Sequence, residues 1–502
     1  MGATRQSSRR NSRAAAVSEY RMSRTLLSAA LLAAVVAALV AAPAHGASRL
    51  VVRGAGFGHG IGMSQYGAYG FALKGTDHKT ILRHYYTGTQ IGKLDGGGQA
   101  RVLLKTATRI VFTKAAAVTG GRRLDPAKRY VATRGLSGAV TLRSAAGRVL
   151  GTYASPLTIT GASGGFQING RSGNAARNGR YRGSLQLRAS ALGGVSAINA
   201  LAMDDYIRGV VAGEMPSGWP QAALRAQAVA ARTYAMATSK NGDGFDQYAD
   251  TRSQVYNGIS GETAATDEAV AATTGEVVVF DGKPIVTYYF STSGGRTENV
   301  ENVFLGAAPA PYLQSVEDPY DDASPRHRWV RRMSLRSAQR RLGRLVKGSL
   351  RSIKVLRRGR SPRVVRAQIV GSRGRTNVSG PTLRSELGLY DTWARFTVIT
   401  ANARRGDGNG PNAPNAPATG GAAPALARAA SAGSAVATLT GRVDPAVPGR
   451  SFVTVQRRAG SKWVTRFEVP VTAGGRYAAR LRLRGLFRVV HAGVAGPSVR
   501  VR

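Results

Sequence analysis

Residues 203–239 read MDDYIRGVVAGEMPSGWPQAALRAQAVAARTYAMATS, two helices meeting at a tight corner with one acid, Glu214, at the bend. Asp204 is the expected N-cap of the first helix, with Asp205 adding favourable charge in its first turn. Pro216 ends that helix, because the residue before a proline resists helical geometry. Ile207, Val211 and Glu214 fall at i, i+4 and i+7, so the carboxylate shares a face with apolar side chains. Pro220 opens the second helix at a first-turn position. Leu224, Gln227, Ala231 and Tyr234 make its 3-4-3 stripe, while Gln221, Arg225 and Arg232 lie on another face. A carboxyl held against apolar surface resists ionisation and suits general acid catalysis. The competing reading is a helix-terminal glutamate that faces solvent.

Outward from the corner, the pattern before it is β-rich. From about Leu94 to Asn199 short alternating strands are separated by Gly, Ser and Arg turns, as in an inserted accessory sheet or small barrel. Gly161–Gly165, GASGG, spells a nucleophile elbow but lacks the strand-to-helix context. Earlier still, GAGFGHGIG at 54–62 sets alternating glycines around His59 after a short strand. No frame gives a dinucleotide fingerprint. Such glycines permit close backbone approach, which suits a polymer or sugar lying on the main chain. His59 could act as an acid/base group or bridge backbone groups inside the loop. Two helices follow, stopped by Gly75 and Gly88.

After the corner, Asp243, Asp246 and Asp250 fit no calcium loop and read as a solvated turn. A helix over 268–274 precedes GEVVVF and PIVTYYFSTSGG, which read as a strand pair joined by a turn. That pair delivers Ser291, Ser293, Gly294 and Gly295 to a strand end able to hold a polar ligand. Residues 326–399 are strongly basic, with a helix near 335–346 and strands near 352–357 and 363–369.

The whole chain has 502 residues, room for two or three domains. Lys plus Arg number 71 against 26 acids, a net charge of +45, which bears on partners rather than on fold. No recognition helix or zinc-finger spacing accompanies the charge, so nucleic acid is not the expected partner. Anionic wall polymers or a membrane surface satisfy the same electrostatics. With no cysteine, thiolate metal sites and disulfides are excluded. Arg5, Arg9, Arg10, Arg13, Arg21 and Arg24 precede an apolar run over 25–42 and the small-residue site Ala42-Pro43-Ala44. This is a signal-peptide pattern, with an uncleaved membrane anchor as the alternative.

Several phrases together resemble one family, the SpoIID/LytB group of bacterial cell-wall proteins. They are YIRGVVAGEMPSGWPQAALRAQAVAARTYAM, SQVYNG, YYFSTSGGRTENVENVF, PYLQSVEDP, VSGPTLRSELGLYDTWARF, and GFGHGIGMSQYGAYGFALKG with ILRHYYTGT. The GHG-x-GMSQ block closes the domain in typical members and comes first here, as in a circular permutation. The resemblance implies an α+β SpoIID-like catalytic domain in two pieces, 45–93 and 200–402, around an inserted β-rich subdomain, 94–199. A signal peptide over 1–44 precedes it. An Ala/Gly/Pro linker, 403–433, and a module over 434–502 patterned as an Ig-like or transthyretin-like β-sandwich follow.

It further implies lytic transglycosylase chemistry on peptidoglycan glycan strands, with Glu214 as the single catalytic acid. Gln227, Arg232, Ser293, Gly294, His59, Ser64, Gln65 and Tyr66 are the candidates for binding the glycan. Gln227 and Arg232 could instead be packing within the helix pair, and Ser64 a helix cap. No cofactor is implied; the zinc that some relatives hold near the segment matching 250–256 needs a cysteine that this chain lacks. LytB-type members are described as amidase enhancers, which makes a cell-wall amidase the alternative partner.

Overall fold

The computed structural model describes residues 47–94, 98–174, 176–191, 193–239, 244–405, 437–445 and 452–501. The expected signal peptide over 1–44, Asp243 and most of the expected linker, beyond residue 405, lie outside the described residues. Helix and strand are mixed, with strand predominating, as the α+β expectation requires. Among the described residues no helix is long and apolar enough to cross a membrane. The chain divides into two compact units.

The larger unit comprises Val52–Arg331 and Gln339–Phe396. Its β-rich part forms two six-stranded sheets. One runs 247–248, 99–107, 195–202, 184–189, 157–161, 115–118 across the sheet, antiparallel except where Gln247–Tyr248 joins in parallel. The other runs 180–181, 166–168, 109–113, 130–134, 140–144, 149–153. Alternating residues such as Ile110, Phe112, Leu142, Leu185 and Leu187 enter a shared core.

Strand Val195–Ala202 runs directly into the first corner helix, so the sheet sets the direction of the element that carries the acid. The helices are α1 (Gln65–Leu73), α2 (His78–Tyr85), α3 (Met203–Glu214), α4 (Gln221–Ala237) and α5 (Ala264–Ala271). The stop at Gly75 holds, with positive φ directly after the Lys74 cap, whereas the second helix already ends at Tyr85 with Tyr86 as its cap, ahead of Gly88. Helix α5 starts earlier than its apolar pattern indicated, because Thr263 and Thr266 close a capping box.

Helix α4 is the hub. Its alanines are small enough for α1, α2, α3, α5 and strand Glu276–Phe280 all to pack on it. Burial therefore extends around the helix instead of along one stripe, and Arg232, expected on another face, is only 1% exposed.

The opening block is built into the same unit. Met63–Ser64 pairs in parallel with Tyr289–Phe290, and Gln90–Lys93 pairs with Glu276–Phe280. The expected hairpin over 275–295 is thus cut short. Glu276–Phe280 turns back only onto Lys283–Pro284, and the chain then leaves to reach residues 63–64. A three-stranded sheet, 350–358, 364–371 and 375–379, leads to α6 (Gly380–Leu387).

The smaller unit holds two antiparallel layers around Ile399, Leu439, Val453, Val455, Phe487 and Val489. Ala437–Asp444 lies between Arg476–Leu481 and the strand ahead of the linker, with Val398 opposite Asp444 and Arg405 opposite Ala437. The unit therefore begins before residue 434, because a strand from 397–405 covers an edge that would otherwise be open. The second layer pairs Phe452–Ala459 with Lys462–Pro470 and Gly485–His491.

Candidate active site

Helix α3 begins at Met203 with Ala202 at the cap position and no side-chain cap. Asp204 is therefore not the N-cap. It lies in the first turn and binds Arg232, with Oδ1 2.9 Å from Nε and 2.8 Å from Nη2. Arg232 also donates to the Glu276 carbonyl at 3.1 Å, so it clamps α4 to its neighbours. At the other end Met215 turns extended ahead of Pro216, and its N–H returns to the Val211 carbonyl. Pro220 caps α4 from just outside the helix, one position earlier than expected.

Gly209 and Gly213 lie one turn apart on α3. A Cβ on Gly209 would meet the Tyr256 ring, and one on Gly213 would meet Asn257 Nδ2 at 2.8 Å. Their bareness lets the SQVYNG segment lie directly on the helix. Val255 is brought near enough that its N–H donates to Glu214 Oε1 at 3.1 Å.

Glu214 is half-buried. On its other oxygen, Oε2, it accepts from Gln65 Nε2 at 3.3 Å. The same amide also donates to the Glu214 carbonyl at 3.2 Å and to Gln227 Oε1 at 3.4 Å. Burial raises the carboxyl above its ordinary range, opposed in part by the Val255 N–H, the Gln65 amide and the Tyr289 hydroxyl. Tyr289 in turn donates to Gln254 Oε1 at 2.7 Å, and Gln254 Nε2 donates to Tyr206 at 3.1 Å. Burial thus shifts Glu214 towards its protonated form while the residue remains partly exposed.

Phrases far apart in the chain converge here: Gln65 from MSQYG, Gln254 and Val255 from SQVYNG, Tyr289 from YYF. Sequence reasoning singled out Gln65 and Gln227 but passed over Gln254, Val255 and Tyr289. Their signal was present, since all three stand in phrases that carry the resemblance.

The other candidates fall elsewhere. Ser64 is buried and caps α1, its Oγ accepting from Gly67 N at 3.1 Å. His59 takes the bridging alternative: Nδ1 accepts from Ile61 N at 3.0 Å, and the ring leans on Tyr288, Phe290 and Phe304. Burial first, then the charge of Arg384, pushes its pKa down to about 3. The alternating glycines likewise admit the protein itself, since Cβ atoms on Gly58 and Gly60 would strike Phe290 and Arg363. Ser293 and Gly294 are buried and turned inward, not lining a groove. Ser293 Oγ donates to Asp321 Oδ2 at 3.0 Å, and Gly294 N donates to the same oxygen. Tyr66 stays half-buried on α1, one residue beyond Gln65, its ring 5.0 Å from that of Trp219.

The SpoIID family profile, described as Stage II sporulation protein, matches residues 191–280, from strand Val195–Ala202 through α3, α4 and α5. An uncharacterised protein of Brachyspira hyodysenteriae is 44% identical over 122 residues, 24% of this chain and 33% of that protein. Stage II sporulation protein D of Bacillus subtilis is 31% identical over 234 residues, 43% of this chain and 66% of that protein. The amidase enhancer of Bacillus subtilis is 38% identical over 115 residues, 23% of this chain and 15% of that protein. The chain spans about a third to two thirds of the first two relatives, and a small part of the third. With the convergence of its phrases on one acid, these likenesses identify the chain as a member of the SpoIID/LytB family.

Proposed function

We propose that the protein is an exported lytic transglycosylase that cleaves the bond between N-acetylmuramic acid and N-acetylglucosamine in peptidoglycan glycan strands. The observation that carries this reading is Glu214, largely buried but not sealed from solvent, with burial favouring its protonated form. In the first step Glu214 gives its proton to the bridging oxygen as the C1–O bond breaks. In the second the C6 hydroxyl of the same muramic acid attacks C1 and returns its proton to the Glu214 carboxylate. The product ends in a 1,6-anhydro ring, no water is consumed, and one carboxyl suffices where hydrolytic glycosidases use a pair. Gln65 holds the acid from one side, and Gln227 holds Gln65.

The test incubates purified protein with glycan strands, with and without stem peptides, and seeks anhydro ends by mass spectrometry. Glu214→Gln should lower their rate of formation by about 10²–10⁴-fold. Equal yield from wild type and variant would refute the role of Glu214.

A second reading rests on the likeness to the amidase enhancer: the chain would bind and activate a wall amidase without cleaving glycan itself. It prevails if wild type yields no anhydro ends but raises the rate of a wall amidase. Under either reading the smaller unit is an Ig-like or transthyretin-like module for binding or spacing. The net charge of +45 favours attachment to anionic wall polymer. We take the opening block as circularly permuted and residues 1–44 as a signal peptide.

A further inference from the structure

Aromatic side chains inside this protein have their polar tips satisfied. Tyr85 donates to Asp318, Tyr86 to the Tyr288 carbonyl, Tyr256 to Asn199 and Trp329 Nε1 to the Gly56 carbonyl. Half-buried aromatics, among them Tyr288, Tyr390 and Trp393, are not all so satisfied, and one such cluster lies beside Glu214. Tyr66, Tyr69 and Trp219 are half-buried, and neither hydroxyl nor the indole N–H is bonded to any described residue. Their rings nevertheless hold one another: Tyr69 and Trp219 are 4.7 Å apart at 38°, Tyr66 and Trp219 5.0 Å at 68°, Tyr66 and Tyr69 6.4 Å at 75°.

Its location is informative. Tyr66 and Tyr69 are spaced i, i+3 on α1, directly after Gln65, whose amide reaches Glu214. Trp219 stands on the corner that Glu214 opens. Backbone anchors fix both pieces, Tyr66 N to the Ser291 carbonyl at 3.0 Å and Trp219 N to the Pro216 carbonyl at 3.1 Å. A rigid, partly open set of rings with unspent donors is costly to leave in water. It suits a ligand with an apolar face and hydroxyls around its rim, which describes a pyranose.

Resting on the transglycosylase reading, we infer that Tyr66, Tyr69 and Trp219 form a stacking subsite beside Glu214 for an N-acetylated pyranose of the glycan strand. The rings would carry the C–H face of that sugar, and their free tips would meet its hydroxyl and acetamido groups. This fixes one sugar while the adjoining linkage lies at the acid.

Binding is measured separately from cleavage. Full-length Glu214→Gln protein is titrated with tetra-N-acetylchitotetraose and with purified glycan strands, followed by calorimetry and tryptophan emission. Adding Tyr69→Ala or Trp219→Leu should weaken affinity about tenfold each, the scale of a lost aromatic contact, whereas Trp219→Phe should keep most of it. Melting curves of each variant identify any that fails to fold, and the Trp219→Phe comparison then decides. Unchanged affinity in folded variants, or no binding of either probe by the parent, overturns the subsite. If sugars bind through these rings while wild type forms no anhydro ends, the transglycosylase reading fails and the subsite stands. If wild type cleaves and the ring variants bind and cleave equally well, the subsite alone fails.

Discussion

Glu214 and Glu298 are both glutamates withdrawn from water in the larger unit, and they are treated in opposite ways. Glu298 is fully buried, and its carboxylate is saturated. Oε1 accepts from Asn299 N at 2.9 Å, Asn302 Nδ2 at 3.0 Å and Arg360 N at 3.0 Å. Oε2 accepts from Ser361 N at 3.1 Å and Ser361 Oγ at 2.6 Å. On its carboxylate oxygens Glu214 accepts from the Val255 N–H and the Gln65 amide, with the Tyr289 hydroxyl near enough to hold its pKa down as well, and the residue stays partly exposed. The difference teaches that burial alone does not make an acid reactive. A carboxylate given donors for all its lone pairs is a staple between chain segments, whereas one left short of donors favours a proton and can give it away.

The neighbouring Arg363–Asp391 pair is the extreme staple, and the contrast is tested most severely there. Arg363 is 1% exposed; its Nε and Nη2 reach Asp391 at 3.0 and 2.9 Å, and it also donates to the Ser293 and Arg296 carbonyls. Asp391→Ala strands that buried charge and should cost about 3–5 kcal/mol in urea denaturation. Glu298→Ala leaves its donors without an acceptor and should cost about 3 kcal/mol. Glu214→Gln should show neither loss. A loss of similar size there would make Glu214 a staple too, and would remove the ground for a chemical role.

How far these roles were legible depended on the range of the signal. The corner, its acid and the helix stop at Gly75 are written in local periodicity and punctuation, and the structure keeps them. The inward turn of Ser293 is not, because it answers to Asp321, which arrives from another loop. Nor is the role of the glycine loop, whose close neighbours Phe290 and Arg363 stand hundreds of residues downstream. Periodicity places Arg232 on a face of the second helix other than its apolar stripe. Alanine-rich α4 has no outer face at that point, and Asp204 supplies the counter-charge. Local pattern thus located the acid, but only long-range contacts separate the donor-poor glutamate, Glu214, from the saturated one, Glu298.

Gln65 offers a finer test of the same contrast, because it is one of the few donors that Glu214 has. Its amide lowers the Glu214 pKa against the larger upward push of burial. A general acid works while protonated, so the alkaline limb of the cleavage profile follows its folded-state pKa. Gln65→Leu removes the donor and should move that limb to higher pH, with a smaller loss of rate than Glu214→Gln causes. A limb that stays in place, or moves to lower pH, would mean that Gln65 does not tune the acid.

The smallest effect concerns stability. The folded-state pKa of Glu214 is raised above the ordinary 4.5, so the unfolded chain gives up this proton more readily than the folded one. Below 4.5 both states are protonated and the site costs nothing. As pH rises through 4.5 towards the folded-state value, stability declines, and above that value the penalty is constant. Glutamine carries no such penalty and can still accept the Val255 N–H through its carbonyl. Glu214→Gln should therefore melt about 2 °C higher than wild type at pH 7, a gain of the size common when a functional strain is removed. The two curves should converge in acid, below the ordinary glutamate range. A variant less stable than wild type at neutral pH would place Glu214 beside Glu298 as a structural carboxylate, and equal melting at every pH would mean that burial exerts no upward push on it.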